Sequence, residues 1–122
     1  MKKANKTNIL YLIQKRLDIM HEIAKYKWNN SIDIIDKKRE KYQIDELIEI
    51  SKSYNIKKEK IIYFIKYQIY LAKNLQINLF KEFKKQKIKK FKNVKSLEKE
   101  LRLEVDQINK LLIKEFCNIK NR

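Results

Sequence analysis

The chain contains no glycine and no proline. Glycine is the usual occupant of left-handed turn positions and proline the usual stop and turn initiator, so a fold built from many tight hairpins is closed to this sequence. Helices joined by few turns remain, with Asn and Ser taking the turns, as in "NNS" at Asn29 to Ser31 and "YN" at Tyr54 and Asn55. The reading is therefore all-α. At 122 residues the chain has room for one core and little for two, and a single domain over residues 1–122 is expected.

Apolar spacing divides the chain into four helices. The first runs from about Asn5 to Trp28, with Ile9, Ile13, Met20 and Ile23 on one line. "NNSIDII" then breaks the pattern, and Asp36 is the expected N-cap of a second helix that starts near Lys37 and ends near Tyr54, carrying Ile44, Leu47, Ile48 and Ile50. A third runs from about Lys57 to Lys87 with Ile62, Ile65, Ile69, Ala72, Leu79 and Phe83 on its seam, and a fourth from about Lys95 to Ile119 with Leu97, Leu101, Val105, Ile108, Leu112 and Phe116. Each helix has one apolar stripe and one charged face, so the stripes must pack together, giving a bundle of about four helices. The basic run Lys84 to Asn93 reads as a solvated helix end and linker.

The seams are not purely apolar. Arg16 and Lys27 lie on the first stripe, eleven residues apart, which at 3.6 residues per turn is almost three whole turns and places both on one face. Gln76 interrupts the third seam, and Arg102 borders the fourth. Burying such groups without partners costs roughly 2 kcal/mol or more for a neutral amide and far more for a lone charge. Acids beside them are scarce, Asp36 and Glu40 flanking Arg39 at the start of the second helix, so a small dianion enclosed by the bundle accounts for the surplus of cations.

The net charge of +16 admits a nonenzymatic basic helical module that binds nucleic acid through phosphate contacts. That alternative needs its important lysines on exposed faces and leaves Arg16, Lys27 and Gln76 idle. Of the 31 basic residues only four are Arg (Arg16, Arg39, Arg102 and the terminal Arg122), so the charge reflects a general bias toward lysine on solvated faces. Where lysine is used so freely, a retained arginine marks a need for a planar, two-pronged donor to a carboxylate or phosphate. Cys117 and His21 each stand alone, without a cluster that would hold a metal. The opening "MKKANKTNILYLIQKR" is basic, but its apolar run stops at Gln14, so neither a signal peptide nor a membrane span is expected.

The segments "RLDIMHEIAKYKW", "IDIIDKKRE" and "YQIYLAKNLQ", in that order and spacing, resemble the all-helical class of chorismate mutases from about Leu10 to Phe83. The resemblance rests on an Arg eleven residues before a Lys, an Asp-x-x-Arg-Glu at the next helix start and a Gln on a later helix. It implies rearrangement of chorismate to prephenate, a pericyclic step that needs no cofactor and no metal. It also implies roles: Arg16 on a substrate carboxylate, Lys27 on the ether oxygen and a carboxylate, and Arg39 orienting the substrate. Asp36 and Glu40 would lie near the ring hydroxyl, Gln76 would donate to the ether oxygen, and Ala72 holds the substrate-facing position that some relatives fill with a small hydroxyl residue.

The tail "LRLEVDQINKLL" resembles the C-terminal helix of the gamma-type, usually exported, chorismate mutases, in which an Arg before Asp-x-x-Asn completes the site from the same chain; Arg102 fits that place. In the short dimeric members a carboxylate-binding Arg comes instead from the partner, from a position that here would precede Met1. The implied assembly is a homodimer. The implied location is periplasmic or secreted for a mature form and cytoplasmic otherwise. Isochorismate pyruvate-lyases resemble the same class, handle a similar dianion and are the nearest alternative.

Overall fold

A computed structural model describes residues 6–120. The expected helix start at Asn5, and Arg122, lie outside the described residues. Four α-helices form: α1 (Lys6–Asn29), α2 (Lys37–Ser51), α3 (Lys58–Lys85) and α4 (Arg102–Lys120), the last entered through a π-helical turn at Leu97–Leu101. There are no strands among the described residues.

The pairing of side chains along the helices sets their directions. Arg16 bonds the Gln68 carbonyl and Trp28 packs edge-on to Phe80 and Phe83, so α1 and α3 run parallel. Arg39 meets Asp106 and Asn109 meets Gln43, so α2 and α4 run parallel to each other. Glu40 pairs with Lys73, and Leu47 packs with Ile61 and Ile65, so α2 is antiparallel to α3. Both α1 and α2 pack on α3 and α4, which leaves α1 and α2 at opposite corners of the bundle.

Two apolar clusters fill the interior. One contains Met20, Ile23, Ala72, Leu97, Leu101 and Val105; the other contains Leu47, Ile61, Ile65, Ile69, Ile113 and Cys117. A layer of buried polar side chains, Arg16, Gln43, Gln68 and Asn109, lies between them, as Asn109 lies between Val105 and Ile113 on α4. On α3 the innermost residue of the first turn is Ile61, whereas the expected Ile62 is only half-buried. Cys117 is fully buried, which raises its thiol pKa by desolvation and makes it a core residue.

Without glycine, the left-handed positions fall to Ser31, Lys87 and Asn93, with φ of 53°, 58° and 57°. Ser31 ends α1 in a Schellman motif, its N–H bonding Trp28 O and the next N–H, of Ile32, bonding Lys27 O. Lys87 does the same for α3, with its own N–H on Lys84 O and that of Ile88 on Phe83 O. Asp36 caps α2 as expected, accepting from Arg39 N at 3.0 Å. The helix stops at Ser51, three residues short of the expected Tyr54, because the Ser51 hydroxyl turns back to Ile48 O and Tyr54 N–H closes a turn on Ser51 O. The segment after α3 is pinned by Asn29, whose amide both accepts from Phe91 N and donates to Phe91 O. Trp28 Nε1 donates to Ile88 O in the same segment.

A residue with a β-carbon held left-handed carries a steric cost that glycine lacks. Lys87→Gly is therefore expected to stabilise the chain by about 1 kcal/mol in denaturant unfolding. A loss of stability would mean that Lys87 contributes contacts outweighing its backbone cost.

Candidate active site

A cavity of about 60 Å³ opens in the half of the bundle filled by the first cluster. All eight residues singled out from the sequence line it: Arg16 and Lys27 from α1, Asp36, Arg39 and Glu40 from the start of α2, Ala72 and Gln76 from α3, and Arg102 from the start of α4. Met20, Ile23, Ile69, Leu97 and Val105 supply its apolar wall. Larger hollows elsewhere on the surface gather no comparable set of buried charges.

Arg16 is 3% exposed and hydrogen-bonded on three sides. Its Nε donates to Asn109 Oδ1 at 2.8 Å, one terminal nitrogen to Gln68 O at 3.1 Å and the other to Gln43 Oε1 at 3.2 Å. Burial, with a smaller contribution from nearby Arg39, lowers its pKa to about 10, so it stays charged at neutral pH. Lys27 is 5% exposed and donates to the Ile34 carbonyl at 2.9 Å in the α1–α2 connection. Burial first, and then the Arg102 charge, bring its pKa down to about 8 against the partial support of Asp36 and Glu40.

The other cations are partnered by acids. Arg39 donates to Asp106 Oδ1 at 2.7 Å and lies over the Tyr42 ring. Arg102 bridges Asp36 at 3.0 Å and Glu98, four residues back in the π-helical turn. Lys73 pairs with Glu40 at 3.0 Å. The Asp36 carboxyl is held below its ordinary range by the Arg39 backbone N–H, against the opposing effect of burial and with further help from Arg102. Asp36, Arg39 and Arg102 also line an outer groove with Glu98 and Asp106, so their ion pairs form the partition between cavity and solvent.

Gln76 is 4% exposed. Its Nε2 rests 3.4 Å from Met20 Sδ, a weak acceptor, and its Oε1 is buried without a hydrogen-bond partner. The only other such atom among the described residues belongs to Glu115. An amide so weakly engaged can bond a group placed in the cavity at little cost in bonds broken.

Gln43, Asn109, Lys73 and Asp106 were not singled out from the sequence. Asn109 stands four residues after Val105 and three before Leu112, and Gln43 four before Leu47, so both fall on apolar seams. Each adjoins an isoleucine, Ile44 or Ile108, that carries the apolar pattern and masks the amide. Five cations against two carboxylates line the cavity, an excess suited to a small anion with more than one negative group.

An all-helical bundle that encloses a cation-rich, amide-bearing cavity has the charge and the donors that a small polyanion requires. The sequence profile of the chorismate mutase type II family matches residues 6–77, more than half of the chain, and the chain belongs to that family. Its fold resembles the crystal structure of a chorismate mutase from Burkholderia thailandensis, with a TM-score of 0.81 and 24% identity over 89% of this chain and 68% of that one. No curated protein is similar enough to count as a match. Seven of the eight residues lie within the matched segment, and Arg102 lies beyond it.

A lysine forced to charge inside the fold opposes folding. Its pKa is about 8 in the native chain and about 10.4 unfolded, so between these values the unfolded state binds more protons and stability rises with pH. Lys27→Met should therefore be more stable than the wild type at pH 7, by about 1 to 3 kcal/mol, with the gap closing toward pH 10. Denaturant titrations at the two pH values measure this. A variant less stable than wild type at pH 7 would show that Lys27 is not strained by burial.

Proposed function

We propose that this chain catalyses the rearrangement of chorismate to prephenate in the cavity between α1, α2, α3 and α4. The observation that carries the proposal is the convergence of Arg16, Lys27, Arg39, Arg102 and Gln76 on one small cavity in a chain of this family. The reaction exchanges one carbon–oxygen bond for one carbon–carbon bond within a single molecule. A protein accelerates it by holding the compact conformer through its carboxylates and by meeting the negative charge that grows on the ether oxygen.

In this reading Arg16 and Arg102 clamp the carboxylates, and Arg39 orients the ring. Lys27 reaches both a carboxylate and the ether oxygen, and Gln76 turns its amide from the Met20 thioether to that oxygen. Asp36 and Glu40 face the ring hydroxyl, and Ala72 leaves room for the ring. Bound dianion would raise the pKa of Lys27 by adding opposite charge. The kcat/KM profile should thus fall as pH climbs past about 8, and the kcat profile at a higher pH.

The finer subclass is part of the proposal: a gamma-type enzyme whose Arg102 completes the site from the same chain, assembled as a homodimer. The salt bridge of Arg102 to Asp36 across the cavity mouth supports an intrachain site.

Incubating the protein with chorismate, following the loss of its absorbance and assaying prephenate, tests the activity. Isochorismate in a parallel reaction tests the lyase alternative by release of pyruvate. Arg16→Ala and Lys27→Ala are each expected to lower kcat/KM by on the order of a hundredfold or more while leaving helicity intact. Mixed Arg16→Ala and Arg102→Ala chains should stay inactive, because no chain then holds a whole site; recovered activity would show sites shared between protomers.

Gln76→Glu tests the ether-oxygen contact. A carboxyl there donates only when protonated and repels the developing oxyanion once ionised. The variant should be most active in acid and fade as pH rises. A flat profile at wild-type rates would remove Gln76 from that contact.

A further inference from the structure

The cations around the cavity fall into two groups. Arg39, Arg102 and Lys73, nearer the mouth, each hold a carboxylate. Arg16 and Lys27, the most buried, are bonded among the described residues only to neutral oxygens: side-chain amides and a backbone carbonyl for Arg16, and a backbone carbonyl for Lys27. A carboxylate would be the stronger partner for a buried guanidinium, so its absence from the innermost layer calls for a reason.

The amides around Arg16 form a closed set. Asn109 Oδ1 accepts from Nε, and Asn109 Nδ2 donates at 3.0 Å to the same Gln43 Oε1 that accepts from the Arg16 terminal nitrogen. Turning either amide over would point an NH₂ group at a cation, so each holds the other in the accepting orientation. Both are buried, at 8% and 4% exposure, and no acid among the described residues bonds either of them. Arg16 has five N–H bonds, of which three are committed, leaving two for another partner.

We propose that Gln43 and Asn109 are positioning residues that solvate Arg16 with neutral oxygens only, so that its orientation is set while its charge is kept for the substrate carboxylate. This rests on the reading of Arg16 as a carboxylate ligand. It adds a division of labour to the site: mouth cations neutralised by protein acids, and inner cations neutralised by substrate.

Gln43→Glu separates charge from geometry. The substitution is isosteric and leaves an oxygen where Oε1 now accepts both bonds, so it changes little but charge. The variant should fold with an unchanged or higher Tm and raise KM for chorismate by on the order of tenfold to a hundredfold, with a smaller fall in kcat. Stabilisation of Tm by chorismate, which reads binding without turnover, should shrink in parallel. Gln43→Met, which removes the acceptor without adding charge, should lower Tm yet raise KM less than Gln43→Glu does. Should Gln43→Glu not fold, Asn109→Asp puts the charge on the other acceptor of the same guanidinium; because it also gives up the Asn109 Nδ2 bond to Gln43, its KM is compared with that of Asn109→Leu, which gives up the same bond without adding charge, and must exceed it. A folded Gln43→Glu protein with wild-type KM, or a Gln43→Met penalty equal to that of Gln43→Glu, overturns the role of the amides. A wild type that shows neither turnover nor thermal stabilisation with chorismate overturns instead the reading of the site on which that role rests.

Discussion

The guanidinium of Arg16 touches every helix of the bundle: it projects from α1 and bonds Gln43 on α2, the Gln68 carbonyl on α3 and Asn109 on α4. Because α1 and α2 stand at opposite corners, its bond to Gln43 spans the diagonal that apolar packing leaves unbridged. A planar, five-donor group is one of few side chains able to meet three acceptors in three directions from one point. Apolar contacts tolerate sliding of one helix along another, whereas three directional bonds of 2.8 to 3.2 Å do not. Together with the two apolar clusters, this layer holds the register that brings Lys27, Arg39, Gln76 and Arg102 around one cavity.

The same layer separates two halves of different character. Toward Cys117 the interior is aliphatic and close-packed, with Ile61, Ile113 and Cys117 at 1% exposure or less. Toward Leu97 the interior gives part of its volume to the cavity, and its walls carry charges that desolvation disfavours, as the lowered pKa values of Arg16 and Lys27 record. Strain of this kind belongs where charge must meet a ligand in a dry environment, and the aliphatic half offsets it.

Much of this was legible in the chain, for a physical reason. A polar group on an apolar seam violates the rule that writes the rest of the helix, and Arg16, Lys27 and Gln76 were visible as such violations. Asp36 was legible because N-capping is a local interaction. The amide layer was not: Gln43 and Asn109 each adjoin an isoleucine, Ile44 and Ile108, that carries the apolar seam in their place, and their part emerges only once four helices bring them to one guanidinium. Helix ends were hard to place for the opposite reason. The turn at Asn29 to Ser31 was announced by its residue types, but Lys87 occupies a left-handed position that a lysine does not announce, and the Ser51 hydroxyl bond that ends α2 leaves no pattern in the apolar spacing. The one-residue difference between Ile61 and the expected Ile62 is of the same kind, since both are isoleucine and only packing against α2 and α4 chooses between them.

The entry to α4 shows how backbone irregularity serves the cavity. Leu97, Leu101 and Val105 are all buried at successive spacings of four residues, and in a regular α-helix each such step overshoots a 3.6-residue turn, so the line of side chains would wind away from the core. The wider π turn, with Leu101 N–H on Ser96 O and Arg102 N–H on Leu97 O, takes up that excess and keeps the three on one line. Ser96 holds the turn from its start, accepting from Lys99 N and donating its own N–H to Glu100. Arg102, the next residue after Leu101, is thereby held at the margin of the core, where its guanidinium reaches Asp36 across the mouth at 3.0 Å. Moving Arg102 by one position along the helix would carry its side chain about 100° around the axis and away from Asp36. The irregular turn is what joins the C-terminal helix to the cavity built by the first three.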